Sequence, residues 1–357
     1  MTPPPGTPIQ ATPPEALAKL TARVTLVNAP VTVRDRKGAM VHNLEQQDFV
    51  LTDNGVPQKI THFDVGGDPI SLVVVVETST RIDPMLPQVR KAGILVTEQV
   101  MGPEAEAAVI GFDETVTRLR GFTRSHDDIE SALAGLQTRE AGTRLFDAMS
   151  EGVELLSGRR RGTKENPMPG RRVLLVIAEA LDSGSETMLG EVLRRAQQEN
   201  ITIFAVGLST TRAELQAKPR DNAPVSPTPP GINGVPPPPG TVPTTSGTNA
   251  GIDLLALAQV LVEQSKSQAT KHSLDVGAAA TGGAYYSTFK GRSIESAIDE
   301  IGGELHSQYV MSYTPEPRPE EDRDFGYHHI AVSLVPEKAK GMKVTTRPGY
   351  YIPPPQH

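Results

Sequence analysis

The stretch Leu72-Val73-Val74-Val75-Val76-Glu77-Thr78-Ser79-Thr80-Arg81 decides the fold. An all-apolar run dominated by valine ends at a carboxylate and a series of hydroxyls, and a helical pattern follows. A strand that is apolar on both faces belongs in the middle of a parallel sheet with helices on each side. The polar turn leaving it lies at the strand's carboxyl end, where open α/β sheets place their ligands.

Working outward, further apolar runs at 71–76, 108–112, 172–177 and 201–207 alternate with helical patterns at 85–100, 126–137, 143–157 and 186–199. This alternation predicts a doubly wound, Rossmann-like α/β sheet. Asp113-Glu114 separates 108–112 from a second short run at 115–119, so those two strands are expected to form an antiparallel hairpin at a sheet edge. Ser125, Ser185 and Ser293 each precede an acidic first turn and read as helix caps. A long helix over 252–279, a strand at 284–288 and a helix over 294–306 complete the pattern.

The flanks differ. Residues 22–63 and 308–352 alternate polar and apolar residues, with turns at Asp35-Arg36-Lys37-Gly38 and Asp53-Asn54-Gly55, and read as β-strands. Neither flank has strands enough for its own core, so the two ends are expected to meet in one small β-domain. The expected division is a proline-rich tether at 1–18, a β-sandwich-like domain from 19–66 plus 307–352, an α/β domain at 67–306, and a proline-rich insertion at 212–250. Tether and insertion lack the apolar surface to offset ordering entropy and are expected to be flexible.

Composition narrows the functional classes. The 357 residues include 35 basic and 42 acidic ones, for a formal charge of -7, with 4% aromatics, which argues against nucleic-acid binding. The absence of cysteine removes disulfides, thiolate metal sites and cysteine nucleophiles. No stretch approaches the about 20 apolar residues of a membrane span. The opening Met1-Thr2-Pro3-Pro4-Pro5 reads as the tether left after a signal peptide, so an extracytoplasmic location, periplasmic or secreted, is expected. No glycine-rich phosphate loop and no Gly-x-Ser-x-Gly elbow follows any strand, so nucleotide and serine-hydrolase readings fail. His328-His329 lie in an alternating run, point to opposite faces, and cannot grip one ion.

The order of elements resembles von Willebrand factor A proteins, and among them the bacterial VWFA-related subfamily common in acidobacteria, over residues 20–352 apart from the insertion. The residues that carry the resemblance are Ala29-Pro30-Val31-Thr32-Val33-Arg34-Asp35, Asp48-Phe49, Asp53-Asn54-Gly55-Val56-Pro57-Gln58, Gly142-Thr143-Arg144-Leu145-Phe146-Asp147-Ala148 and Gln308-Tyr309-Val310-Met311-Ser312-Tyr313-Thr314-Pro315. The resemblance implies a metal-ion-dependent adhesion site, in which an Asp-x-Ser-x-Ser loop, a Thr and a further Asp hold a divalent cation that captures a partner's carboxylate.

Here that pattern is broken. Glu77 stands at the first Asp, Ser79 keeps the first Ser, Arg81 replaces the second Ser, Thr143 keeps the Thr, and Glu179 stands at the last Asp. Mg²⁺ demands ligands at about 2.0 to 2.1 Å, and a methylene moves a carboxylate by on the order of 1 Å. Arg81 also carries a permanent charge into the site. Two placements of Arg81 remain open at this point: across Glu77 and Glu179 as a substitute for the ion, or turned to solvent.

The expected function is therefore a non-enzymatic protein-binding, adhesion or scaffolding module with a degenerate site. No cofactor is expected, with Mg²⁺ or another divalent cation as the only candidate at Glu77, Ser79, Thr143 and Glu179. The partner, a protein, is expected to meet Thr78, Thr80, Arg81, Arg144 and Asp182, and the sequence gives no oligomeric state. The alternative is a hydrolase-like α/β enzyme that uses Glu77 and Glu179 as paired carboxylates.

Overall fold

The computed structural model of the chain describes residues 26–102, 104–159, 170–208, 272–288, 293–315 and 326–352. The tether, the insertion and most of the helix expected over 252–279 lie outside the described residues.

The strand read first, β5 (Ile70–Glu77), is buried along its whole length. It sits inside a six-stranded sheet with β6 (Glu106–Phe112), β7 (Val116–Thr123), β8 (Arg171–Ala178), β9 (Ile201–Gly207) and β10 (Tyr285–Ser287), in the order β10-β9-β8-β5-β6-β7. All neighbours are parallel except β6 and β7, which form the expected antiparallel edge hairpin. From β5 the chain crosses to β6 on one side and then to β8 on the other. The strand order therefore reverses beside β5, which opens a crevice at its carboxyl end.

Successive side chains of β5 point to opposite faces, and the two faces fill two cores. Leu72, Val74 and Val76 pack with α1 (Leu86–Leu95), α2 (His126–Ala134) and α6 (Ile294–Ser307). Val73 and Val75 pack with α3 (Leu145–Ser157), α4 (Leu189–Gln198) and α5 (Ser273–Thr281). An unbroken valine run is the residue choice for a strand that must be apolar on both sides.

Several element boundaries differ from expectation, two of them for reasons the local contacts show. The helix expected over 85–100 is split: a 3₁₀ turn at Thr80–Met85 precedes α1 and a π segment at Val96–Val100 follows it. The helix expected over 186–199 starts at Leu189 instead, because Ser185 is used elsewhere.

The flanks build two four-stranded sheets, and each takes strands from both ends of the chain. One is ordered β13-β1-β11-β4, from Lys343–Thr346, Val27–Arg34, Tyr309–Tyr313 and His62–Val65. The other is ordered β14-β12-β2-β3, from Gly349–Ile352, Gly326–Leu334, Phe49–Asp53 and Val56–Pro57. Between β2 and β3, Asn54 at φ 48° and Gly55 at φ 79° make the tight turn that Asp-Asn-Gly announces. Val31, Val33, Phe49, Leu51, Tyr309, Met311 and Tyr350 share one apolar core between these sheets. Among the described residues no helix is long and apolar enough to cross a membrane.

Candidate functional site

Three loops meet at the carboxyl end of the central sheet, and they are bound mainly to one another. The 77–81 segment leaves β5, the 139–144 segment leads into α3, and the 179–187 segment follows β8. Glu77 has 0% of its surface exposed. Ser79 donates its hydroxyl to Glu77 Oε1, and the backbone N–H of Glu179 donates to Glu77 Oε2 at 2.7 Å. Burial pushes the Glu77 carboxyl up to about 7, with the charge of Glu179 adding to the rise, while the two hydrogen bonds and the more distant charge of Arg81 work against it.

The remaining expected ligands are also committed inside the loops. Thr143 is buried, and its hydroxyl donates to Leu181 O at 3.0 Å and lies 3.2 Å from Ser183 Oγ. Thr143 O in turn accepts from the backbone N–H groups of Ser183 and Gly184, so the second and third loops are latched together. Glu179 is 1% exposed. Thr78 donates its hydroxyl to Asp113 Oδ2 at 3.1 Å, which ties the first loop to the β6–β7 hairpin.

Arg81 takes the second of the two placements. Its Nε donates to Ala141 O at 3.1 Å, and the side chain is exposed instead of lying across Glu77 and Glu179. Both oxygens of Glu77 are already taken by Ser79 and Glu179, and the 3₁₀ turn that begins at Thr80 turns the next residue outward. Thr80 is exposed as well, held by its backbone N–H on Glu140 O. Arg144 is partly exposed and pairs with Asp147 at 3.3 Å and Glu186 at 3.6 Å.

Asp182 has a role that spacing did not reveal. With Ser185 it caps the N-terminus of α3, not that of α4: Ser185 Oγ accepts from the N–H groups of Phe146 and Asp147 at 3.0 and 3.1 Å, and Asp182 Oδ1 accepts from Phe146 N at 3.3 Å. Asp147 returns the contact by accepting from the N–H groups of Glu186 and Thr187. The expected caps Ser125 and Ser293 do cap α2 and α6.

Asp113, a turn residue by its spacing, organises the face. It is 1% exposed and accepts from Thr115, Arg139 and Thr78. Burial opposes its charge, but the Thr115 amide and hydroxyl, Arg139 and Thr78 outweigh that and hold its carboxyl below the usual range. Its only sequence signal is an acidic residue in the first turn position of the edge hairpin. Beside it, an open cleft of about 830 Å³ runs along the edge hairpin, lined in part by Glu114, Arg118, Arg144, Asp147 and Glu151.

As a cage for a small hard cation, these residues fit poorly. The Ser79 and Thr143 hydroxyls point their protons at Glu77 and at Leu181 O, Glu77 accepts two bonds already, and the position of the missing hydroxyl is occupied by a guanidinium that faces away. An octahedral oxygen array would lack the hydroxyl that Arg81 replaces, and Glu77 and Glu179 each carry one methylene more than an Asp ligand.

A sequence model of the von Willebrand factor type A domain matches residues 71–222. Curated proteins give no match. Among solved structures, the chain is similar to the vWF domain of the type V pili tip protein Mfa5 from Porphyromonas gingivalis, with 14% identity and a TM-score of 0.29 over 34% of this chain and 41% of that one. It is similar to an aerotolerance-related membrane protein from Bacteroides fragilis, with 12% identity and a TM-score of 0.40 over 66% and 98%. It is also similar to proximal thread matrix protein 1 from the mussel byssus with a zinc-occupied MIDAS motif, with 13% identity and a TM-score of 0.41 over 71% and 49%. The chain thus spans less than half of the first and third of these.

Proposed function

We propose that the chain is a non-enzymatic, extracytoplasmic protein-binding module whose adhesion site has lost its metal and works through Arg81. The observation that carries this reading is the division of labour in the three loops. Glu77, Ser79, Thr143 and Glu179 are buried and bound within the loops, Glu77 to the Ser79 hydroxyl and the Glu179 N–H and Thr143 to Leu181 O, while Thr80 and Arg81 stand outside them. A guanidinium anchored by its Nε offers a planar fork to a partner's carboxylate, the same ligand chemistry that a divalent cation would attract. The inward network gives that fork a rigid base.

The flanking strands support a place in the VWFA-related subfamily, and with it the division into a β-domain of 19–66 plus 307–352 and an α/β domain of 67–306. The enzyme alternative has one observation in its favour, a carboxyl near 7 next to a second carboxylate. Full burial of Glu77 and the occupation of both its oxygens leave no face for a substrate.

Calorimetric titration with Mg²⁺ and Mn²⁺ tests the metal-free reading: no micromolar binding is expected from the native chain, and its appearance would overturn it. A pull-down from the native source, run with the native chain and with Arg81→Ser, tests the role of the guanidinium. A partner retained equally by both proteins would exclude Arg81 from the interface.

A further inference from the structure

At the opposite end of the central sheet, between the starts of β8 and β9 and the flanking strands β1 and β11, lies a cavity of about 20 Å³. Three arginines line it, Arg171, Arg172 and Arg347, together with Asn28, Asn200 and Thr202, and among the described residues no carboxylate does. Arg172 is neutralised by Glu199 at 3.3 Å. Arg171 is 6% exposed and gives its terminal nitrogens to neutral acceptors, Leu305 O and Gln308 Oε1. Asp64 and Asp68 act on it only at longer range.

Arg347 is the least compensated of the three. It is 2% exposed, and its Nη1 donates to Gln197 O at 3.3 Å. Its Nε and Nη2 are buried with no hydrogen-bond partner among the described residues. The carboxylate nearest in effect, Asp53, already accepts from His328, Tyr313 and Tyr350. A guanidinium taken out of water without a contact counter-charge costs several kcal/mol, and two donor nitrogens with unmet N–H groups add to that cost.

We propose that this cavity binds one halide-sized monovalent anion, held by Arg347 Nε and Nη2. The adjacent Nε and Nη2 donors form a two-toothed grip for a spherical acceptor. The second buried guanidinium, Arg171, raises the local positive potential. Size sets the class: a single water needs on the order of 10 to 15 Å³, so the space suits one small, roughly spherical particle. Burial also holds both arginines below the usual guanidinium range, the destabilisation that an anion would relieve. Such an ion would join the central sheet to the flanking strands, because Arg347 lies just before β14 and Arg171 opens β8.

The test uses the full chain at constant ionic strength, with sodium chloride replacing sodium gluconate, whose anion is too large for the cavity. The melting temperature is expected to rise with chloride and to saturate, by several degrees once chloride greatly exceeds its Kd, and Arg347→Met should lose the rise. In parallel, crystals of the native chain grown in sodium bromide are expected to show an anomalous peak within hydrogen-bonding reach of Arg347 Nε and Nη2. Water alone at that position overturns the proposal whatever the melting data, as does a melting curve indifferent to chloride. If Arg347→Met fails to fold, the bromide peak decides.

Discussion

Glu77 is a buried acid whose folded carboxyl titrates near 7 while the unfolded chain loses the same proton near 4.5. Between those values the folded state holds a proton that the unfolded state has lost, so stability falls as pH rises through that window. Gln is the same size, accepts the Glu179 N–H through its carbonyl and offers its amide to Ser79. With EDTA present, Glu77→Gln is therefore expected to match the native chain at pH 4 and to exceed it by up to roughly 3 kcal/mol at pH 8, as read by urea unfolding. An equal difference at both pH values would mean that Glu77 titrates as an ordinary carboxylate. The same residue shows where sequence reading stops. Its place at the end of β5 was legible from the valine run. The direction of Arg81, four residues on, depended on a 3₁₀ turn and on Ala141 O, 60 positions away.

Helix α6 carries two adjacent glycines with opposite surroundings. A Cβ on Gly302 would lie 2.4 Å from Gln99 O, a backbone atom of the π segment, whereas a Cβ on Gly303 would meet nothing. Backbone cannot step aside as a side chain can, so Gly302→Ala is expected to destabilise by about 1 to 3 kcal/mol. Gly303→Ala is expected to be neutral or to stabilise by up to about 1 kcal/mol, through helix propensity alone. Denaturant midpoints of the two variants, side by side, check both signs. The helix caps divide in the same manner. Ser125 and Ser293 satisfy N–H groups three residues ahead, a local contact that spacing reveals. Ser185 satisfies α3, about 40 positions earlier in the chain, and no local pattern could announce that.

Across the whole molecule, two buried carboxylates hold distant parts of the chain together. Glu304, on α6, accepts from Thr32 and Arg34 of β1 and from Tyr286 of β10. Asp53, on β2, accepts from Tyr313, His328 and Tyr350 at 2.7 to 2.9 Å and so joins β11, β12 and β14. Burial alone would raise the pKa of Asp53, but the bonds from His328, Tyr350 and Tyr313 outweigh it and hold the carboxyl below its ordinary 3.8. Its contribution is thus complete above that value and is lost as pH falls through the lower folded one. Asp53→Asn is expected to cost on the order of 2 to 4 kcal/mol at pH 7, with the gap from the native chain narrowing by pH 3, as measured by guanidinium unfolding. A gap that is the same at both pH values would show that the charge of Asp53 contributes nothing.

The sequence by itself determined the parallel sheet, its edge hairpin and the strand character of both flanks. Each of these rests on local periodicity or turn chemistry, which short stretches of chain carry in full. Only the tertiary structure decided that Arg81 faces out, that Thr143 spends its hydroxyl on Leu181, that Asp182 and Ser185 cap α3, and that Asp53, Glu304 and Arg347 are buried. Those outcomes depend on which groups compete for each donor and acceptor once water is excluded, and the competitors come from parts of the chain tens to hundreds of residues apart.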